Sequence, residues 1–372
     1  MNEEKIKVYL QYPWKFPDSP YYKYLLQDSP EGIEYLNTKK QKGVITNQRF
    51  FWFSNFLKKV IRKSINLIYP AMPNAHKSPK GNYDLIHCAH CLSKNKDKPW
   101  IADIEFSSQV WVTLNKPKNR ENVKRILRRN NCKKIITWTK KMKKELLESF
   151  PEIKSKVEVV FPLIPKLNVK RKKHKEINLF FAARYFYSKG GLHALEVMDR
   201  LTKKYENVKG ILVSEIPKEI KNKYSKNKKI KIFNLMPQEE LFEKVYSIGD
   251  IFIYPGYSDS FGFAIPEVMG LGVPVVSVDT STRKEILSEG KNGFMISTKL
   301  NQGGLIKISN SLNDPESKKI IKGLENKTSK LIKNKKLLWK FSKNAKKEIS
   351  SGKFSPKKIK KKMRRIYSEA LK

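Results

Sequence analysis

The sequence has few cysteines, no long apolar run and comparatively few acidic residues. Three cysteines, Cys88, Cys91 and Cys132, are too few and too unevenly spaced for a disulfide framework, which predicts a reducing compartment. No stretch approaches 18 uninterrupted apolar residues, so no membrane-spanning helix is expected. The N-terminal MNEEKIKVYLQYP is charged where a secretory signal would be apolar. We therefore expect a cytoplasmic protein.

The shortage of acidic residues leaves a strongly basic chain. There are 78 Lys and Arg against 35 Asp and Glu, a formal net charge of +43. Such a charge attracts polyanions, including nucleic acid, phosphorylated metabolites and anionic membranes. Because lysine is dispersed through nearly every polar segment, a compositional bias of the source genome explains the charge equally well. The charge alone therefore does not identify a partner.

Length and periodicity predict the fold class. At 372 residues the chain exceeds what one hydrophobic core usually supports, so two domains are expected. Short β-branched and aromatic runs alternate with longer amphipathic stretches, which is typical of α/β proteins with parallel sheets. Strands are predicted at 6–12, 84–88, 100–104, 133–138 and 157–161, and then at 177–183, 210–214, 230–234, 250–255 and 273–278. Each half is predicted to be a Rossmann-like unit.

The domain boundary is predicted at a polar, basic stretch in the middle of the chain. PKLNVKRKKHKE, residues 165–176, opens with a proline and has no apolar periodicity. We therefore predict an N-terminal domain at 1–165, a linker at 166–176 and a C-terminal domain at 177–350. Residues 351–372 are predicted to form a helix that packs back toward the N-terminal domain.

Two carboxylates follow the predicted strand 250–255. In SDSFGFAIPEVMGLGVPVV, residues 258–276, Pro266 limits the helix start to about 263–265, so Asp259 falls in the loop and Glu267 in the first turn. Loops at the carboxyl ends of parallel strands bind ligands, and carboxylates there can accept hydrogen bonds from hydroxyl groups. The alternative is that both side chains simply cap the helix.

Two cations follow the predicted strand 177–183. In FFAARYFYSKGGLHALE, residues 180–196, Arg184 and Lys189 stand in one loop before a helix. A guanidinium and an ammonium in such a loop can neutralise a diphosphate. Arg184 and Lys189 could equally be two ordinary surface cations in a chain rich in them. A nucleotide sugar, which has both phosphates and hydroxyl groups, would suit both loops.

With these two motifs the chain resembles the family 4 glycosyltransferases. The segments that carry the resemblance are ARYFYSKGGLHALE, DSFGFAIPEVMGLGVPVV, SVDTSTRKEILSEGKNGFMI and FSKNAKKEI, all in the second half. The resemblance implies a GT-B architecture, with two Rossmann-like domains facing across a cleft. It also implies retaining transfer of a sugar from a nucleoside diphosphate donor to an acceptor hydroxyl, without a cofactor or a divalent metal.

The resemblance also implies roles for individual residues. Arg184 and Lys189 would hold the donor diphosphate, and Glu267 would accept hydrogen bonds from the ribose. Asp259 stands where the family has a glutamate that faces the donor sugar. Backbone N–H groups of the adjoining loop would face the sugar and phosphates, and the base would lie near residues 234–237; these positions are Ser260, Phe261, Gly262, Phe263 and Leu235.

The first half departs from the family pattern. The loop at 13–22, PWKFPDSPYY, has no glycine, whereas the family usually has a glycine-rich loop there. Glu105 stands where many members have a histidine that faces the sugar and acceptor, so it is a candidate for orienting the acceptor or donor; the alternative is an exposed residue after a strand. His87, Cys88, His90 and Cys91 lack a second ligand cluster, which favours a buried strand end over a zinc site.

Residues 50–70, FFWFSNFLKKVIRKSINLIYP, predict a basic amphipathic helix. Most such helices cover a sheet, but this one could lie on an anionic membrane and bring in a glycan or lipid-linked acceptor. By resemblance we expect a role in cell-envelope polysaccharide synthesis at the inner face of the cell membrane, without nucleic acid as a partner. Two rival functions stay open: a basic nucleic-acid-binding protein and an inactive nucleotide-sugar-binding scaffold.

Overall fold

The structure is a computed structural model that describes residues 5–12, 20–38, 48–68, 72–112, 117–280, 282–299 and 311–372. The chain forms two compact units. Unit 1 consists of residues 1–165 together with 356–372, and unit 2 consists of residues 166–355. Both units contain parallel sheets with helices, so the predicted α/β class is confirmed.

Unit 1 is built on a six-stranded parallel sheet with the order β2-β1-β4-β6-β7-β8. Two further strands form a small separate pair. The strands are β1 (Ile6–Gln11), β2 (Ile33–Leu36), β3 (Ala75–His76), β4 (Leu85–Ala89), β5 (Leu92–Ser93), β6 (Trp100–Ile104), β7 (Cys132–Thr137) and β8 (Val157–Val159). The helices are α1 (Pro20–Gln27), α2 (Gln48–Ile68), α3 (Pro117–Leu127) and α4 (Lys140–Ser149).

The central strands of unit 1 are buried along their whole length. Every residue of β4 and β6 is buried, as expected for parallel strands covered on both faces. The prediction overlaps each strand of this sheet except β2, whose four residues IEYL are too short to stand out from the surrounding loop. The carboxyl ends of β4 and β6 lie side by side, where ligand-binding loops are expected.

Unit 2 has a second six-stranded parallel sheet with the order β11-β10-β9-β12-β13-β14. Its strands are β9 (Ile177–Ala182), β10 (Val208–Val213), β11 (Ile230–Phe233), β12 (Ile251–Ile253), β13 (Val275–Val278) and β14 (Gly293–Ile296). Its helices are α5 (Gly191–Lys204), α6 (Lys218–Tyr224), α7 (Gln238–Leu241), α8 (Ala264–Gly270), α9 (Arg283–Ile286), α10 (Pro315–Lys333) and α11 (Lys335–Ser350).

The strand order of unit 2 reverses at β9. From β9 the chain runs outward through β10 and β11 on one side, and then through β12, β13 and β14 on the other. The loops after β9 and β12 therefore leave the sheet from neighbouring strands in opposite directions. Such a reversal opens a crevice at the carboxyl edge of a parallel sheet, which is where α/β proteins bind ligands.

The last helix, α12 (Pro356–Ala370), belongs to unit 1. It buries Ile359, Met363 and Ile366. Its Tyr367 hydroxyl lies 2.8 Å from His87 Nδ1 and 3.0 Å from the Tyr35 hydroxyl. The chain therefore returns to unit 1 after completing unit 2.

The stretch predicted as a linker lies against unit 2. Residues 166–174 have no helix or strand. The Lys172 N–H donates to the Ser247 carbonyl at 2.9 Å, and Arg171 Nη2 donates to Asp250 Oδ1 at 2.9 Å. This stretch is therefore tied to unit 2 by backbone and side-chain hydrogen bonds.

Helix α2 corresponds to the amphipathic stretch predicted at 50–70. Among its side chains that the structure describes, none is buried. The expectation of a helix that covers a sheet is therefore not met by these side chains. Among the described side chains of α2, the large apolar ones that are exposed are Trp52, Phe53, Phe56, Leu57, Val60, Ile61, Leu67 and Ile68. Within the described ranges, no helix is both long and apolar enough to cross a membrane.

Candidate functional site

The loop between β9 and α5 carries two of the predicted site residues. Arg184 is half-buried two residues after the end of β9. Lys189 precedes the glycine pair at the start of α5, and its side chain is 19% exposed. The Lys189 carbonyl accepts a hydrogen bond from the Gly256 N–H at 2.9 Å, so this loop is tied directly to the loop after β12.

The structure brings Lys189 and Asp259 together, although they are 70 residues apart in sequence. Lys189 Nζ donates to Asp259 Oδ1 at 2.5 Å and also donates to the Ser258 carbonyl. Asp259 Oδ2 accepts from Arg283 Nη2 at 2.9 Å. The Asp259 side chain is only 5% exposed and that of Arg283 is fully buried. One carboxylate thus lies between two cations at the carboxyl edge of the sheet.

The carboxylates of Asp259 and Glu267 have different surroundings at the start of α8. Helix α8 begins after Phe263 without a side-chain cap, and the described partners of the Asp259 carboxylate are Lys189, Arg283 and Tyr254. The structure therefore does not support the alternative that Asp259 caps the helix. Glu267 is buried in the first turn, and its Oε1 accepts a hydrogen bond from Gln238 Nε2 at 3.2 Å.

The remaining predicted positions of unit 2 lie in the loop after β12 and in the loop after β11. The four residues between Asp259 and α8 are Ser260, Phe261, Gly262 and Phe263, and Phe261 is fully buried. Its ring packs edge-on against Phe263, with 5.2 Å between ring centroids. Leu235 is half-buried between β11 and α7, three residues before the Gln238 that reaches Glu267.

Arg283 is a residue of this site that sequence reasoning missed. It opens the short helix α9 and is among the largest fully buried side chains of the chain. Besides Asp259, it binds the Gly256 carbonyl through Nη2 at 2.9 Å, and its guanidinium lies 5.6 Å from the centre of the Tyr254 ring. A single Arg in a lysine-rich segment has no pattern that would have marked it as buried.

In unit 1, the predicted residue Glu105 lies one position after β6 with its side chain 19% exposed. His90 lies beside it, with 3.9 Å between His90 Nε2 and Glu105 Oε2. On its other side, His90 Nδ1 lies 3.1 Å from Oδ2 of the buried Asp103. Oδ1 of Asp103 accepts from the Tyr22 hydroxyl at 2.5 Å and from His87 Nε2 at 2.9 Å. His90 thus connects a buried carboxylate with Glu105.

Asp103 and His90 shift each other's pKa in opposite directions. Burial acts to raise the pKa of Asp103, but the His90 charge and the hydrogen bonds from His87 and His90 outweigh it and leave the pKa below its usual range. Burial acts to lower the pKa of His90, but the Asp103 carboxylate, with a contribution from Glu105, raises it overall. His90 therefore holds its proton to a higher pH in the folded protein.

The His90 cluster predicts a pH dependence of stability. A histidine whose folded pKa is raised stabilises the fold below its unfolded pKa, and this contribution disappears as the pH rises through the folded value. We expect His90→Gln to remove roughly 1 kcal/mol at pH 6 and little at pH 9, a magnitude typical of partly exposed ion pairs. Urea unfolding at the two pH values measures the difference.

His76→Gln is the matched control for His90→Gln. Burial lowers the pKa of His76, so its contribution is present at high pH and is lost as the pH falls. The His76→Gln substitution should therefore change the slope of stability against pH in the opposite direction to His90→Gln. Equal slopes in wild type and His90→Gln would show that the pKa of His90 is the same in the folded and the unfolded protein.

The side chains at His87, Cys88 and Cys91, where a zinc site was weighed and not favoured, have protein partners. His87 binds Asp103 and Tyr367, and both thiols receive weak hydrogen bonds from Gln11 Nε2, at 3.4 and 3.5 Å. Within the described ranges, no group of three or more His, Cys, Asp or Glu side chains is placed to hold a metal ion.

Most of the atypical loop at 13–22 lies outside the described residues.

Comparisons with known proteins agree with this architecture. Residues 165–323 match the family model "Glycosyl transferases group 1". The sulfoquinovosyl transferase SQD2 of Arabidopsis thaliana is 30% identical over 101 residues, which cover 24% of this chain and 20% of that protein. The match thus spans about a fifth of the length of that relative.

Two solved structures align with nearly the whole chain. A glycosyltransferase from Rickettsia africae ESF-5 aligns over 100% of both chains with a TM-score of 0.63 and 15% identity. Anabaena HepE, solved in complex with UDP and glucose, aligns over 98% of this chain and 99% of its own with a TM-score of 0.60 and 13% identity. At these identities the likeness shows the fold.

The structural likeness shows the fold of the chain, and the family match is confined to residues 165–323. The chain has the GT-B fold of glycosyltransferases, with two Rossmann-like units. The matched segment 165–323 contains both loops that carry the predicted donor-site residues, together with Arg283. The finer assignment to family 4 and the roles of individual residues stay predictions.

Proposed function

We propose that this GT-B protein is a retaining glycosyltransferase of the family 4 type, which moves a sugar from a nucleoside diphosphate donor to an acceptor hydroxyl. The observation that supports this most is the ion pair between Lys189 and Asp259, which lies where the strand order of unit 2 reverses. Ligands bind at such points in open α/β sheets. The buried Glu267 lies in the first turn of the helix that follows the same loop.

In the proposed reaction, unit 2 stabilises the leaving diphosphate. Lys189 and Arg184 supply positive charge, and the start of α5 adds the dipole of a 14-residue helix. Glu267 accepts hydrogen bonds from the ribose, and the loop at Ser260–Phe263 faces the sugar and phosphates. The acceptor hydroxyl attacks on the face that the diphosphate leaves, and its proton passes to the departing phosphate. This route needs neither a metal ion nor an enzyme nucleophile.

In unit 1, we propose that Glu105 orients the acceptor hydroxyl or the donor sugar. Its carboxylate lies beside His90, which is held in turn by Asp103. A carboxylate in such an arrangement has a restricted orientation, which is what positioning a substrate hydroxyl requires. This role is independent of the donor diphosphate, so substitutions of Glu105 should affect transfer more than nucleotide binding.

A thermal-shift screen with UDP, GDP, ADP and CDP tests the proposed donor site. A ligand that binds only the folded state raises the melting temperature, and a concentration 100-fold above Kd adds about 2.7 kcal/mol of stability. UDP is the first nucleotide to test, because HepE was solved with UDP and glucose. Stabilisation by one diphosphate is the expected result. If millimolar concentrations of all four leave the melting temperature unchanged, the assignment fails.

The acceptor proposal rests on helix α2. We propose that the acceptor is a glycan or a lipid-linked molecule of the cell envelope, and that α2 holds the protein at the inner face of the cell membrane. Trp52 and Phe56 stack in parallel with 5.8 Å between ring centroids and are 71% and 52% exposed. Exposed Lys59 and Lys63 lie on the same helix. Aromatic side chains with nearby lysines suit the interface of an anionic bilayer.

The substitution Trp52→Glu with Phe56→Glu tests membrane binding by α2. Large apolar side chains contribute about 1.5–3 kcal/mol each when buried, so the double variant should bind at least tenfold less to phosphatidylcholine vesicles containing phosphatidylglycerol. Sedimentation with vesicles measures the bound fraction. Trp339→Glu is a matched control, because Trp339 is 66% exposed and lies on α11 of unit 2. Unchanged binding of the double variant would contradict the proposal.

A further inference from the structure

The Asp259 carboxylate is engaged by protein partners at both oxygens. Oδ1 accepts from Lys189 Nζ at 2.5 Å and from the Tyr254 hydroxyl at 3.4 Å. Oδ2 accepts from Arg283 Nη2 at 2.9 Å. The side chain is 5% exposed, so a sugar hydroxyl that bound it would compete with these partners. This differs from the role that the family resemblance implies for the residue at this position.

The loop after β12 is shaped around the Asp259–Arg283 pair. Gly256 and Gly262 have φ values of +60° and +81°, a backbone region that favours glycine. A Cβ at Gly256 would lie 2.8 Å from Asp259 Oδ2, and one at Gly262 would lie 3.2 Å from Arg283 Nη1. Both glycines thus leave room for the ion pair. Arg283 also binds the Gly256 carbonyl, so it holds the loop and the carboxylate at once.

Of the two cations, Arg283 is the fixed partner of Asp259. Arg283 is fully buried, and within the described ranges its Nε and Nη1 have no hydrogen-bond partner. A buried guanidinium that lost its carboxylate would be uncompensated, which costs several kcal/mol. Lys189 is 19% exposed, so its ammonium can reach a ligand. Asp259 therefore stays with Arg283 and presents a fixed negative charge to Lys189.

From these contacts we infer that Asp259, anchored by Arg283, is a positioning residue that holds Lys189 toward the donor diphosphate and does not bind the hydroxyls of the transferred sugar. The inference rests on the proposed function, since it takes Lys189 as a ligand of the diphosphate. It assigns Arg283 a positioning role through Asp259. Sugar specificity would then depend on residues other than Asp259.

The test compares two ligands with the same base, a nucleoside diphosphate and the corresponding nucleotide sugar. If Asp259 acts through Lys189, Asp259→Asn should weaken both by the same factor, about tenfold for the loss of one oriented charged hydrogen bond. The ratio of the two Kd values, measured by calorimetry, would then equal that of wild type. A Kd that rises only for the nucleotide sugar would show that Asp259 binds the sugar, and would overturn the inference.

A double-mutant cycle separates positioning from loss of structure. In the Lys189→Ala background, Asp259→Asn should have little further effect on nucleoside diphosphate binding, because its effect passes through Lys189. Additive effects would contradict the inference. Arg283→Lys should retain more affinity than Arg283→Met. If Asp259→Asn does not fold, the double variant Asp259→Asn with Arg283→Met replaces it, because this variant leaves no unpaired buried charge at the pair. The ratio of the two Kd values and the double-mutant cycle are then measured with this double variant.

The wild type distinguishes this inference from the proposed function. If the wild-type protein binds neither ligand, the proposed donor site itself is wrong. If it binds both and the Kd ratio changes in Asp259→Asn, only the positioning role is wrong, and the donor site stands.

Discussion

Lys189→Ala is expected to lower the rate of sugar transfer, measured as kcat/KM, by roughly 100-fold to 1,000-fold, the effect of removing one preorganised donor to a developing anion. The ammonium lies at the carboxyl edge between β9 and α5, and its contacts to Asp259 and the Ser258 carbonyl restrict its orientation. Without it, the leaving diphosphate loses a positive charge where its own negative charge grows. Initial rates of nucleoside diphosphate release measure the loss.

Lys203→Ala is the matched control for Lys189→Ala. Lys203 lies near the end of the helix that follows Lys189, is 67% exposed and pairs with Asp199 on the same helix. Removing an exposed lysine of this kind costs the fold at most about 1 kcal/mol, and we expect the Lys203→Ala variant to keep the wild-type rate. If Lys189→Ala also keeps the wild-type rate, Lys189 does not stabilise the leaving group.

Glu267→Gln is expected to weaken binding of the donor nucleotide by about tenfold to 100-fold, since hydrogen bonds to a charged group contribute about 1.5–3 kcal/mol. The carboxylate is buried at the start of α8, and glutamine preserves its size while removing the charge. Because the proposed partner is the ribose, the loss should also be seen with the nucleoside alone. Calorimetric titration with nucleoside and nucleoside diphosphate measures both affinities.

Substitutions of Lys189 and Glu267 should differ in their effect on binding of the nucleoside. Lys189→Ala should weaken binding of the nucleoside diphosphate but not of the nucleoside, whereas Glu267→Gln should weaken both. Glu240→Gln is the control, because Glu240 is half-exposed and pairs with Lys244 one helical turn away. A Glu267→Gln variant that binds the nucleoside as well as wild type does would contradict the ribose assignment.

Sequence reasoning was most successful where periodicity and position along a strand decide the structure. The buried strands β4, β6 and β9 are continuous apolar runs, which is how strands of parallel sheets are recognised. Pro266 limited the start of α8 to within a residue of the observed Ala264. The placement of Lys189 and Asp259 in loops that follow strands came from this same pattern, whereas the pairing of those two strands is seen in the structure.

Sequence reasoning failed where the outcome depends on contacts between distant residues. No local pattern shows that Arg283 is buried against Asp259, because this ion pair joins α9 to the loop after β12 and forms only in the folded chain. His90 likewise owes its position to Asp103 on the next strand of the sheet. For α2, periodicity indicated an apolar face but could not show whether the fold covers it.

The most direct test of the proposed sugar transfer uses the nucleoside diphosphate that raises the melting temperature. The full chain is incubated with a nucleotide sugar that carries this diphosphate. The proposed function predicts release of the nucleoside diphosphate and, by NMR, a sugar product with the anomeric configuration of the donor, with both signals lost in Lys189→Ala. Binding of the nucleotide without any consumption of its sugars, with or without glycan and lipid-linked acceptors, would contradict the assignment as a glycosyltransferase. A product of inverted configuration would contradict the retaining mechanism.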